Sequence, residues 1–331
     1  MDKNLLVTIA IPTYNRIEQL KNCLNSILPQ IKQKQTWIEV LVIDNKSPDG
    51  TYDYLKKLKH KNLRVMQNSK NIGAENNILK VTELAKGRYV FWLSDDDILL
   101  DGALDFLKDF LEKLPDNVGW VFSPIPVINY VTNKEMVNIG LGDKIINITP
   151  SYLSVLRYAK YGWTFARQIF LREKIDEYFL KGDTGNVYFI LSIPVQMLMT
   201  CTSMYHPKPL IKHTYGNPVF WEEWGEDVKI RSAKQELDFA WVLSGILEHI
   251  NKNKGLIHQI KSKVTSIIWV MSCAYDRPLI RGSLPVFFRL RYLYIESGNS
   301  IRRVFFYFYL FCLILLIVPT TIARILHKLN K

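Results

Sequence analysis

An α/β fold, with a largely parallel sheet and helices on both faces, is predicted by three features: short continuous apolar runs, helical periodicity between them, and polar or acidic residues after the runs. Leu5–Ile11 is the first run, ending at Pro12, and a strand without polar alternation is one covered on both faces. Ile17, Leu20, Leu24, Ile27 and Leu28 follow at helical spacing, with Asn15 as the expected cap and Glu18 three residues on. Ile38–Ile43 reads as a second buried strand, Thr51–Leu58 as a short helix and Leu63–Met66 as a third strand. Asn71-Ile72-Gly73 marks a turn, a helix runs through Ile78 and Leu84 to near Gly87, and Tyr89–Leu93 is the fourth strand. Leu104, Leu107, Leu111 and Leu114 carry the next helix, and Trp120–Phe122 is a fifth strand.

In such sheets ligands gather outside the carboxyl ends of the strands, so the residues just after each strand carry the chemistry. After the second strand comes Asp44-Asn45-Lys46-Ser47-Pro48-Asp49-Gly50, and after the fourth comes Ser94-Asp95-Asp96-Asp97. Three adjacent carboxylates repel one another and cost stability at the mouth of a buried strand unless a cation or strong donors offset them. A hard divalent ion such as Mg²⁺ suits oxygen ligands of this kind and also takes phosphate oxygens. The plainer reading of Ser94 to Asp97 is a helix N-terminus, but three carboxylates exceed what capping needs. A lone Asp44 closing a strand is by itself an ordinary turn residue. Neither G-x-x-x-x-G-K-[ST] nor G-x-G-x-x-G occurs, which removes support for a P-loop nucleotidase or an ordinary dinucleotide dehydrogenase. His206, His213 and His249 form no H-E-x-x-H or triad-like grouping and read as structural or surface residues. Trp221 and Trp224, with Glu222 and Glu223, read either as a sugar-stacking rim or as an ordinary packed loop.

The length of 331 residues leaves room for a core domain and an appendage, and a composition of 48% hydrophobic and 22% charged residues is that of a globular chain. The formal net charge of +12 is concentrated at the end: residues 251–331 hold 13 Lys and Arg against only Asp276 and Glu296. Arg281, Arg289, Arg291, Arg302 and Arg303 precede an uncharged run, Val304 to Ala323, and Arg324, Lys328 and Lys331 follow it. Basic residues flanking an apolar stretch of spanning length, with aromatics crowded at one end, are a membrane pattern rather than a nucleic-acid one. Leu5–Ile11 is too short for a secretory signal and lacks a cleavage site, so the start reads as cytosolic. Cys23, Cys201, Cys273 and Cys312 lie far apart and read as reduced thiols.

With these motifs in view, the sequence resembles the family-2 glycosyltransferases of the GT-A fold. The resemblance rests on Ile11-Pro12-Thr13-Tyr14-Asn15-Arg16, Val42-Ile43-Asp44-Asn45-Lys46-Ser47-Pro48-Asp49, Asn71-Ile72-Gly73-Ala74 and Trp92-Leu93-Ser94-Asp95-Asp96-Asp97, in order. It covers about the first 125 residues well, continues weakly through Ile169-Phe170-Leu171-Arg172-Glu173, and then fades. The resemblance implies a nucleotide-sugar pocket lined by Pro12, Thr13, Tyr14 and Asn15. Asp44 would accept from the base, with Asn45, Asn71, Gly73, Ser94 and Asp95 completing the pocket. Asp95 and Asp96 match the family's D-x-D carboxylates, with Asp96 and Asp97 as metal ligands for Mg²⁺ or Mn²⁺. Ser94 stands where the common form has an aspartate, and Glu75 and Asn76 stand where many relatives carry a basic residue. The family also implies an inverting reaction with a carboxylate base 80 to 100 residues beyond the triplet. Asp183 fits that distance, with Glu226 and Asp227 as alternatives.

The expected organisation is a GT-A catalytic domain over 1–213, divided into a nucleotide-sugar half (1–125) and an acceptor half (126–213). A mainly helical membrane-proximal region (214–300) and a hydrophobic anchor (301–331) follow. The expected function is transfer of a sugar from a nucleotide-sugar donor to a lipid-linked saccharide in bacterial surface glycan synthesis (O-antigen or capsule), at the cytoplasmic face of the inner membrane. The rivals are a polyprenyl-phosphate sugar synthase and a non-catalytic, membrane-anchored sugar-nucleotide-binding protein. No nucleic-acid partner is expected.

Overall fold

Every predicted run between residues 5 and 122 forms its element. The computed structural model describes residues 4–31, 35–129, 135–162, 165–180, 191–215 and 246–252, together with positions 243, 255 and 258. The chain divides into two compact units, and the site described below lies in the first, Met1–Trp221 with Ile246–Lys252. The elements are β1 (Val7–Thr13), α1 (Ile17–Ile27), β2 (Ile38–Asp44), α2 (Thr51–Lys57), β3 (Leu63–Gln67), α3 (Ala74–Leu84) and β4 (Tyr89–Trp92). They continue with β5 (Asp97–Leu99), α4 (Ala103–Glu112), β6 (Val118–Phe122), β7 (Ile125–Asn129), β8 (Glu135–Ile139), β9 (Ile146–Ile148) and α5 (Tyr152–Tyr158). The last are β10 (Gln168–Leu171), α6 (Ser192–Thr200), β11 (Thr202–Tyr205) and β12 (Ile211–Tyr215).

The main sheet runs β3-β2-β1-β4-β10-β6-β11-β9. Its first four strands are parallel, as expected. Beyond β4 the sheet is mixed: β10 is antiparallel to both β4 and β6, and β9 is antiparallel to β11. Across β10, however, β6 and β11 run parallel to each other and in the same direction as β1–β4, so the expectation of a largely parallel sheet holds, with only β10 and β9 reversed. β10 enters from a long connection and can run either way. The smaller sheet, β5-β12-β7-β8, was not foreseen. Its β5 is only three residues long, too short to show a period in sequence.

Alternation sorts the strand residues onto two faces. Val7, Ile9 and Ile11 of β1 and Ile38, Val40 and Val42 of β2 join one core cluster with Leu20, Leu24 and Ile27 of α1 and Leu104, Leu107 and Leu111 of α4. On the other face α3 lies against β1 and β2, and Trp92 donates from Nε1 to Thr82 Oγ1 at 2.8 Å while packing on Phe165 and Phe170. Each fully buried Leu or Ile contributes about 1.5–3 kcal/mol relative to leaving it in water, so the helical periodicities alone account for much of the cohesion of this layer. The turn into β4 demands glycine, because a Cβ on Gly87 would lie 2.5 Å from the Thr8 backbone nitrogen.

One local expectation is corrected, and the plainer of the two readings of the acidic loop is removed. Asn15 does not cap α1; it has a φ of 54°, and the N–H of Ile17 is taken by Asp49 Oδ2 at 3.0 Å from the next motif loop. Ser94 to Asp97 do not begin a helix; Asp97 N bonds Ser94 O at 3.2 Å in a turn that leads into β5. Among the described residues no helix is long and apolar enough to cross a membrane. The run 304–323, the rest of 301–331, and Asp183, Trp221, Glu226 and Asp227 all lie outside the described residues, as does most of 214–300, of which 246–251 are helical.

Candidate active site

Parallel pairing brings the ends of β1, β2 and β4 to one rim, and Thr13 joins the loops that follow them. Its carbonyl accepts from Asn45 N at 2.9 Å, and its Oγ1 donates to Asp95 Oδ2 at 2.7 Å. The two expected acidic loops therefore meet across a single buried threonine.

On the β2 side Asp44 is fully buried and accepts from Ser47 N at 3.1 Å, from the Ser47 hydroxyl, and from Gln67 Nε2 at 2.8 Å. Asn45 Nδ2 donates to Asn71 Oδ1 at 2.8 Å and to Gly73 O at 3.1 Å, and Asn45 Oδ1 accepts from Ile72 N at 3.0 Å. These bonds fix the Asn71–Gly73 turn beside the Asp44 loop. Gly73 has φ 85° and ψ 158°, a conformation essentially restricted to glycine. Asn15 and Lys46 both have positive φ, 54° and 66°, and Asn15 N is held by Ser47 Oγ at 2.8 Å. Left-handed non-glycine residues in two adjoining motif loops are strain that the surrounding bonds hold in place. Pro12, next to last in β1, is half-buried, and Tyr14 stands 42% exposed just beyond the strand. Burial alone would push the Asp49 carboxyl up, but hydrogen bonds from Thr51 and Ile17 outweigh it and hold the group below the ordinary carboxylate range.

On the β4 side the carboxylates are crowded. Asp95 and Asp97 are 4% and 1% exposed. Arg16 Nη1 bridges Asp95 Oδ1 at 3.2 Å and Asp96 Oδ2 at 3.0 Å, and Ser94 Oγ donates to Asp96 Oδ1 at 2.5 Å. Pairing of β5 with β12 sets His213 opposite Asp97, and their side chains meet, Nδ1 to Oδ1, at 2.6 Å. Burial pushes Asp95 up to about 7, with Arg16 pulling it down and Asp96 adding to the rise. Burial likewise pushes Asp97 up to about 6, opposed by the bond from His213. That same bond raises His213 above the usual imidazole value, against its own desolvation.

Asp96, Asp97 and His213 each present one ligand atom, all within 4.8 Å of one another. Two carboxylates and an imidazole, with Asp96 21% and His213 39% exposed, fit a divalent cation reached from solvent. His213, expected from the sequence to be an ordinary structural or surface residue, stands beside Asp97 in this cluster. Its partner lies 116 residues away, and only the small sheet brings the two together. Arg16, quoted only as part of a motif, bonds two of the three carboxylates. Arg167 was also missed. It is 1% exposed with a φ of 78°, lies just before β10, and donates to Ser123 O and Tyr161 O at 3.1 Å each, while burial pushes its pKa down to about 10. No spacing signal marks it in the sequence.

Residues 8–179, just over half of the chain, match glycosyl transferase family 2. Among characterised relatives, an abequosyltransferase of Salmonella typhimurium is 36% identical over 115 residues, 34% of this chain and 34% of that protein. A glucosyltransferase of Escherichia coli, named as acting from UDP-Glc on α-D-GlcNAc-diphosphoundecaprenol, is 27% identical over 157 residues, 44% of this chain and 61% of that protein. The poly(ribitol-phosphate) β-N-acetylglucosaminyltransferase TarP of Staphylococcus aureus is 36% identical over 110 residues, 31% and 32% of the two chains. The match thus spans from about a third to three fifths of these relatives. In three dimensions, the crystal structure of S. aureus TarS 1-349 with UDP-GlcNAc shares the fold, with a TM-score of 0.54 and 16% identity, over 80% of this chain and 82% of that one. The chain belongs to glycosyl transferase family 2 and carries its GT-A-type α/β fold.

Proposed function

We propose that this protein is an inverting glycosyltransferase that moves a sugar from a nucleotide-sugar donor to a lipid-linked saccharide acceptor in bacterial surface glycan synthesis. The observation that carries the reading is the junction at Thr13, which sets the Asp44–Asn45 loop against the Asp95–Asp97 triplet at one strand rim. The first loop suits the nucleoside: Asp44 and Asn45 are buried acceptor and amide groups, Tyr14 is exposed just after Thr13, and the Asn71–Gly73 turn is bonded to Asn45. The second suits the diphosphate. Asp96, Asp97 and His213 would hold Mg²⁺ or Mn²⁺. When bound, that cation supplies charge neutralisation on the nucleoside diphosphate leaving group.

The chain's own groups divide the remaining work. Thr13 and Arg16 hold Asp95 in place, and the His213 bond fixes the orientation of Asp97. A carboxylate across the sugar then takes the acceptor hydroxyl proton as the oxygen attacks the anomeric carbon in line. Asp183 is the proposed base, with Glu226 and Asp227 as alternatives. The E. coli relative supports the acceptor class through its diphosphoundecaprenol-linked acceptor, and the S. aureus relative supports a glycan polymer through its poly(ribitol-phosphate). The basic, apolar end of the sequence, 301–331, is proposed to anchor the enzyme at the cytoplasmic face of the inner membrane.

A thermal-shift screen of UDP, GDP, CDP and dTDP sugars, with and without Mn²⁺ or Mg²⁺, tests the donor reading. One donor class should stabilise the protein only when metal is present, and Asp96→Ala should lose that stabilisation. Equal shifts with and without metal would count against the reading. Transfer to undecaprenyl phosphate alone would favour a polyprenyl-phosphate sugar synthase.

A further inference from the structure

A single guanidinium nitrogen occupies the centre of the acidic cluster. Arg16 Nη1 touches both Asp95 Oδ1 and Asp96 Oδ2, at 3.2 and 3.0 Å, much as a monovalent cation between two carboxylates would. The remaining oxygens are engaged too, Asp95 Oδ2 by Thr13 Oγ1 and Asp96 Oδ1 by Ser94 Oγ. A divalent ion can take Asp96 only by sharing Oδ2 with Arg16 or Oδ1 with Ser94. The backbone on either side of Arg16 is tied down: Asn15 N bonds Ser47 Oγ, and Ile17 N bonds Asp49 Oδ2. The side chain is 27% exposed, which leaves its tip a route toward solvent. A tied backbone and a partly exposed side chain are what an exchangeable internal counter-ion requires.

Resting on the metal-assisted donor reading, we propose that Arg16 is a positioning residue that serves as the resident counter-ion of the triplet. It holds Asp95 and Asp96 together before cation and donor arrive, and it weakens cation binding by competing for Asp96. Without it, adjacent carboxylates, one of them buried, repel each other and spread. With it, they are preorganised, but an incoming divalent ion meets a like charge a few ångströms away. The diphosphate of the donor brings the negative charge that lets guanidinium and metal coexist. The cation should therefore bind weakly alone and firmly with nucleotide, and should leave with the product.

The test uses the full chain and its Arg16→Met, Arg16→Gln and Arg16→Lys variants. Mn²⁺ binding is read from loss of the free-ion electron paramagnetic resonance signal at about pH 8 without nucleotide, and thermal unfolding is followed in the absence of metal. Arg16→Met and Arg16→Gln should unfold at lower temperature without metal yet bind Mn²⁺ about tenfold more tightly, since a repelling charge has gone. Arg16→Lys, which keeps the charge, should stay near the wild type in Mn²⁺ affinity. Equal or weaker Mn²⁺ binding by folded Arg16→Gln, with the wild type still stabilised by a donor plus metal, overturns the Arg16 role alone. Failure of both the wild type and the variants to bind Mn²⁺, with no metal-dependent donor shift, overturns the donor reading and this role together.

Discussion

The sheet rim carries a cluster of amides on one side and a cluster of carboxylates on the other, and the two are completed differently. Asn68 Nδ2 donates to Asn45 Oδ1 at 2.8 Å and to Asn77 Oδ1 at 2.9 Å, Asn77 Nδ2 reaches Ile43 O at 3.0 Å, and Lys80 Nζ donates to Asn68 Oδ1 at 2.8 Å. Neutral donors and acceptors match one another there, so the network is satisfied by the protein itself and rigid. Around Asp95, Asp96 and Asp97 the hydrogen bonds come from Thr13, Arg16, Ser94 and His213, and three carboxylates still share one guanidinium and one imidazole. Hydrogen bonds can be closed internally by choosing the right amides, but crowded negative charge at a rim calls for a charge that the ligand brings. The amide side is closed by the protein's own groups, whereas the carboxylate side is where the proposed cation would be received.

The sharpest way to break this contrast is Asp96→Ala. Asp96 is a proposed ligand of the cation that would offset leaving-group charge, so its loss should lower turnover by about 10²–10³-fold, while the folded state without metal should change little, because relief of carboxylate repulsion offsets the lost bonds from Arg16 and Ser94. Nucleotide release and an unfolding curve on the same preparation check it; an active or strongly destabilised variant would erase the contrast. On the amide side the effect should fall on stability. Asn77→Ala strands the Ile43 carbonyl and one Asn68 bond, and should cost about 1–3 kcal/mol by denaturant titration.

A smaller effect concerns pH. Folded Asp95 and Asp97, at about 7 and 6, bind protons more readily than in the unfolded chain, and His213 is also raised. The stability that these three groups contribute without metal should therefore be complete only below about pH 4, where all three are protonated in both states. It should decline as pH rises towards 8, as protons leave these folded groups. Mn²⁺ should reverse much of that decline, whereas a stability rising with pH over this window would contradict the picture. The smallest effect is expected away from the rim. The exposed pair of Lys21 and Glu18, 2.7 Å apart on α1, should contribute no more than about 0.5 kcal/mol, and Lys21→Ala tests this by a shift in denaturation midpoint.

Local chemistry was legible wherever the relevant contact is short in sequence or repeats with a fixed period. The parallel half of the sheet could be read from Leu5–Ile11 and Ile38–Ile43, and the rim from the polar residues that follow them. Asp49 as the partner of Ile17 was not legible, because the ordinary cap lies one or two residues away and this one lies 32 residues away. His213 has no informative neighbours in sequence, and strand pairing alone sets it opposite Asp97. Arg167 gives no pattern at all, since a buried arginine reads in sequence like an exposed one.

Periodicity and punctuation by themselves determined the order of strands and helices up to Phe122, apart from the three-residue β5, and the carboxylate-rich character of the loops after β2 and β4. These follow from side-chain burial and backbone chemistry acting over a few residues. Tertiary structure alone decided that Thr13 joins the two loops, that Arg16 bridges Asp95 and Asp96, and that His213 completes a potential ion site with Asp96 and Asp97. The reason is that crossovers and strand register, which a local pattern does not encode, set which distant side chains come within a few ångströms of each other.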